Sequence, residues 1–117
     1  GATVTGDKLL QWSYSNGFNR LILYGITGEL ASNPTSFLPK LRNFVGKAHD
    51  FYFIDVSINV ASFASASSLI ETYYADTIVA MDPRMHFNAL HYEAEYWNPD
   101  SGVVFDDGDG LDYKPTL

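Results

Sequence analysis

Residues 7–27 read DKLLQWSYSNGFNRLILYGIT. Leu10, Trp12 and Tyr14 alternate ahead of Asn16-Gly17, and Phe18, Ile22, Tyr24 and Ile26 alternate after it, with Arg20 on the same parity. Asn-Gly between two alternating runs is a strong hairpin signal, because both residues tolerate the positive φ of a type I′ turn. The stretch predicts two antiparallel strands, and the rest of the chain is interpreted around them.

Downstream, "DFYFIDVSINVASF" predicts a core strand, with Tyr52, Ile54, Val56, Ile58 and Val60 on one face. "RMHFNALHYEAEYWN" predicts a long strand, with Leu90, Tyr92, Ala94 and Tyr96 opposite His91, Glu93 and Glu95. "GVVFD" predicts a short strand and "ADTIVAMD" an extended one. Helix is expected in two places. Phe37, Leu38, Leu41, Phe44 and Val45 form a helical stripe, with Ser36 as cap, Pro39 in the first turn and Gly46 at the end. Ser68 with Glu71 forms a capping box. Five to seven strands with one or two short helices predict a mainly β fold: a compact antiparallel β-sandwich or barrel-like domain.

The length of 117 residues fits one domain with an ordinary core. The opening Gly1-Ala2, without a methionine, suggests a domain excised from a longer protein. With no cysteine, neither a disulfide framework nor a thiolate zinc site is possible. No apolar run approaches the ~20 residues that span a bilayer. Aromatic content is 15% and charged content only 18%, a texture suited to binding or assembly.

The net charge of -7 is unevenly placed. Residues 1–92 carry seven acids and six bases, whereas residues 93–117 carry seven acids and one base. The acidic excess repels phosphate backbones, so nucleic acid is not an expected partner. It attracts cations or a basic surface.

Four of those acids, Asp106, Asp107, Asp109 and Asp112, sit in "FDDGDGLDY". Alternating carboxylates with glycines at the bend suit a calcium turn, although the twelve-residue spacing of an EF-hand is absent. The same residues also suit a solvated acidic turn. His91, Glu93 and Glu95 share a strand face and offer three potential metal ligands, but one strand rarely supplies a whole metal site. The Glu93/Glu95 pair lacks the groove a glycosidase needs. No nucleophile elbow occurs. "YGITGEL" has two glycines, but neither the lysine nor the following helix expected of a phosphate loop. No enzyme is predicted. Tyr96 and Trp97, at a strand end, are candidates for stacking on a ligand. Aromatic side chains on both strand parities (Phe51, Phe53, Tyr73, Tyr74) predict that some are left for a partner.

In "WSYSNGFNRLILYG" and "FDDGDGLDY", and in its size, low charge and aromatic content, the chain resembles the protruding domain of a small non-enveloped virus capsid protein of the shrimp and prawn nodavirus type. The resemblance implies an outward spike domain on the virion surface. That domain would form homodimers, take part in host attachment through a receptor or glycan, and belong to capsids in which calcium is common. A calcium-assisted extracellular ligand- or carbohydrate-binding module is the alternative.

Overall fold

The computed structural model describes residues 5–92. Residues 7–27 fold differently from expectation. Residues Gly6–Ser15 form a helix, α1, and only Arg20–Leu23 are a strand, β1. Thr5 caps α1 by accepting the Lys8 N–H at 3.3 Å. Asn16-Gly17 ends this helix instead of turning a hairpin. Gly17 has φ 79°, while Asn16 keeps φ −101°. The Gly17 N–H donates to Tyr14 O at 3.2 Å and the Phe18 N–H to Ser13 O at 2.9 Å. These two bonds make a Schellman motif with glycine at its left-handed position. Its customary apolar contact is the Phe18 ring stacked on Trp12, with centroids 5.5 Å apart.

After Gly25, also at positive φ, α2 spans Ile26–Ser32, and α3 runs from Pro34 to Phe51. The expected helix around Phe37–Val45 is therefore real but twice interrupted on paper, because Pro39 and Gly46 both lie inside it. Pro39 falls in the second turn, where its missing N–H forfeits one hydrogen bond of a long helix. Phe53, at φ 54°, turns the chain into β2, Asp55–Val60. Then come α4 (Phe63–Tyr73), α5 (Thr77–Met81), a 3₁₀ turn (Pro83–Met85) and β3 (Ala89–Tyr92). Ser62 caps α4, in place of the expected Ser68. Asp76 caps α5, in a segment expected to be extended.

The three strands form one sheet in the order β1-β2-β3, and both pairings are parallel. This overturns the antiparallel β-sandwich or barrel: among the described residues the architecture is α/β and helix-rich, not β-rich. The register pairs Leu21 with Val56, Leu23 with Ile58, Ile58 with Leu90 and Val60 with Tyr92. These residues share one sheet face, and β2 buries Val56, Ile58 and Val60 there. Leu10 of α1, Leu30 of α2, Leu41, Val45 and Ala48 of α3, and Leu69 and Tyr73 of α4 complete that core. Helices α2, α3 and α4 pack against β2, which is how helical crossovers between parallel strands close a core. No helix among the described residues is long and apolar enough to cross a membrane.

Candidate binding cleft

Two concavities flank the sheet at opposite ends. The first, of about 440 Å3, lies at the amino ends of β2 and β3. His49, Asp55, His86, Phe87 and Asn88 line it. Asn88 is the hub. Its Oδ1 accepts the Val56 N–H at 2.7 Å, and its Nδ2 donates to Asp55 Oδ1 at 3.2 Å, which fixes the orientation of the amide. His49 places Nε2 2.7 Å from the same Oδ1 and Nδ1 2.6 Å from the Arg84 carbonyl. Both imidazole nitrogens are thus occupied by protein acceptors, and neither is free for a metal or a substrate. His86 Nε2 lies 2.7 Å from Val79 O. This network joins α3, β2 and the entry to β3, and it is structural.

Next to it, Arg84 donates through Nε and Nη2 to Asp82 at 3.0 and 2.9 Å, and through Nη1 to Asp50 at 2.8 Å. The guanidinium bonds hold the Asp82 carboxyl below its ordinary range. Asp55 and Asp82 are therefore both engaged by protein donors. Among the described residues no group of three His, Cys, Asp or Glu side chains could hold a metal ion.

The second concavity is larger, about 610 Å3, and lies beyond the carboxyl end of β1. In open parallel sheets ligands bind at the carboxyl ends of the strands, outside the sheet. Its floor is apolar: Leu9, Leu23, Ile26, Phe37, Leu41 and Phe44. Positions 37, 41 and 44 lie on one stripe of α3, with Lys40, Asn43 and Lys47 along its margin. Thr5, Gly6 and Asp7 form the opposite wall. Gly6 is needed there, since a Cβ at this position would stand 2.9 Å from Phe44 Cδ2. Lys47 Nζ is tied to Asp7 Oδ1 at 2.9 Å. Lys40 is exposed and makes no ion pair among the described residues. The rim therefore carries two ammonium groups and one carboxylate, with one positive charge uncompensated.

The strand-to-helix passage "YGITGEL" borders this cleft through Ile26. It does have a following helix, contrary to the sequence expectation. With seven residues and no lysine in the loop, α2 still makes no phosphate cradle.

Of the residues singled out from sequence, Asp106, Asp107, Asp109, Asp112, Tyr96, Trp97, Glu93 and Glu95 lie outside the described residues. His91 is on β3, beside Asn59 in the register. The cleft went unread as a site: Phe37, Leu41 and Phe44 read only as a core-facing helical stripe, and the walls they meet come from α1, β1 and α2, which no local window joins. The one available signal was the Lys40/Asn43/Lys47 margin at helical spacing. Comparison with protein families, with curated proteins and with solved structures yields no match to this chain.

Proposed function

We propose that this domain is a binding module without chemistry of its own. Its ligand is a small amphipathic molecule with an apolar body and a single anionic head group. The observation that carries the proposal is the apolar cleft at the carboxyl end of β1, with Lys40 unpaired at its rim. Its volume falls within the ~300–1,000 Å3 of small-molecule sites, and such sites combine apolar walls with a few polar groups that set orientation. Half-buried Phe37 and Phe44 would flank the ligand body, and Lys40 would meet its head.

NMR titration with medium-chain fatty carboxylates and with alkanols of the same length tests this. The expected result is shift changes confined to Leu23, Ile26, Phe37, Leu41 and Phe44, with the carboxylate binding more tightly. Lys40→Ala should weaken carboxylate binding about fivefold, the size of a partly exposed ion pair, and leave the alkanol unchanged. Absence of shifts at these residues, or equal effects of Lys40→Ala on both ligands, overturns the proposal.

The spike reading is a second proposal, favoured by one observation. Trp12, Tyr14, Phe18, Tyr24, Phe51 and Phe53 are all more than half exposed, as expected of a domain made to meet a partner. The β-sandwich expected from the strand pattern is not the fold found, so this proposal stands on that surface. Virion location, host attachment and calcium at the tail aspartates belong to the same proposal. Solution mass with calcium and with EDTA tests it: a monomer under both conditions removes it.

A further inference from the structure

β1 is the edge strand of the described sheet, paired only with β2 among the described residues. Edge strands in soluble proteins are guarded by prolines, bulges or several charges. β1 reads Arg-Leu-Ile-Leu, with a single charge at its first position and no proline. Its outward flank stays apolar: Ile22 is 38% and Tyr24 65% exposed. Immediately before it, Phe18 and Trp12 form an exposed stacked pair. Residues 5–92 are near neutral, seven acids against six bases, so the edge itself adds little repulsion to that of the acids in residues 93–117.

We infer that two copies of this chain associate through β1, pairing antiparallel about a two-fold axis normal to the sheet and continuing it across both protomers. The occupant is a second copy because the strand complements itself. A two-fold normal to the sheet keeps each face on its own side, so only residues of equal parity can stand opposite one another. Centring the axis on Ile22 gives the longest overlap. Ile22 then meets the partner's Ile22, Leu21 meets the partner's Leu23, and Arg20 meets the partner's Tyr24, twice over. Directly opposed side chains in such a ladder lie about 5 Å apart at Cβ. Each guanidinium would lie on an aromatic face, an attractive arrangement that gives the only charge on the edge a partner. The Leu21–Leu23 contacts extend the helix-covered core across the interface. The exposed parts of Trp12, Phe18, Ile22 and Tyr24 offer roughly 500 Å2 per copy. Two copies would bury on the order of 1,000 Å2, the floor for a specific interface.

The chain has no cysteine, which allows a position-specific test. Under mild oxidation, Ile22→Cys should yield a covalent dimer, since the two introduced thiols face each other across the axis. Glu71→Cys, on the exposed side of α4, should not. Light scattering over a concentration series should show a dimer for the parent chain. It should show a monomer for Ile22→Lys with an unchanged far-ultraviolet circular dichroism spectrum. Tyr24→Glu should keep the dimer and make it salt-sensitive, because a carboxylate then faces Arg20. A parent chain monomeric throughout the series overturns the inference. So does a dimer in which Ile22→Cys fails to cross-link, and that readout holds even if Ile22→Lys does not fold.

Discussion

At the scale of single residues, two buried hydroxyls behave in opposite ways. Ser13 is fully buried in α1, and its Oγ has no hydrogen-bond partner. A buried, unsatisfied hydroxyl costs ~1–3 kcal/mol, and serine is also a weaker helix former than alanine. Ser13→Ala should therefore stabilise the protein by about 1 kcal/mol, seen as a rise in Tm of about 4 °C by calorimetry. A fall in Tm would mean that the small volume lost matters more than the orphaned oxygen. Tyr73 is equally buried, but its Oη donates to the Met85 carbonyl and its ring stacks on Phe87 at 4.5 Å. Burial pushes this phenol far above its ordinary range, and the neighbouring Tyr74 and Asp76 push the same way against Arg42. The sign of the pH effect follows. An unfolded tyrosine loses its proton near pH 10, while the folded one keeps it, so the contribution is complete below about pH 10 and is lost as pH rises above it. Urea midpoints from pH 8 to 11.5 should fall above pH 10, and Tyr73→Phe should flatten that fall. Tyr74, also raised by burial, leaves a residual slope. At pH 8 the same substitution should cost about 1 kcal/mol, for the orphaned carbonyl.

At the scale of elements, the α1–β1 passage shows how much the sequence discloses and where it misleads. Exposed Trp12 and Tyr14 flank buried Ser13, so hydrophobicity alternates along a segment that is helical. The polar residue occupies the core-facing position, and the helical stripe is hidden. Asn-Gly is compatible with both a type I′ turn and a helix C-cap. The outcome is set by contacts with α3, including Lys47–Asp7 and the Gly6–Phe44 approach, which a short sequence window does not contain. By contrast, β2 was legible, because Val56, Ile58 and Val60 alternate wherever they pair, and the α3 stripe was legible from Leu41 and Val45. The two turn types make different demands. A type I′ hairpin needs positive φ at both Asn16 and Gly17, whereas the helix cap needs it only at Gly17. Gly17→Ala should cost about 1 kcal/mol from the left-handed penalty. Asn16→Ala loses only the exposed bond from Nδ2 to Trp12 O, at 2.8 Å, and should cost about half as much. Equal costs in denaturant melts would argue for the hairpin.

At the scale of the whole molecule, strand order is the property least visible in a sequence. Parallel pairing joins residues 35 apart at Arg20–Asp55 and 32 apart at Ser57–Ala89, and no turn chemistry announces such contacts. That topology makes β2 the hub. It is the only described strand with neighbours on both sides, and α2, α3 and α4 all pack against it. Native-state hydrogen exchange should therefore place the slowest amides in Val56–Val60, opening only with global unfolding. Ile58, fully buried, should cost about 3 kcal/mol when cut to alanine, while Ile22, 38% exposed at the edge, should cost under about 1. The β1 amides divide the two states of the molecule. In a monomer, those pointing away from β2 face water and exchange early. In the β1-paired dimer they donate across the two-fold and become slow, so their protection should rise with protein concentration while that of β2 stays constant. Exchange profiled at two concentrations at least tenfold apart separates these cases, and concentration-independent β1 amides would leave the sheet ending where one chain ends.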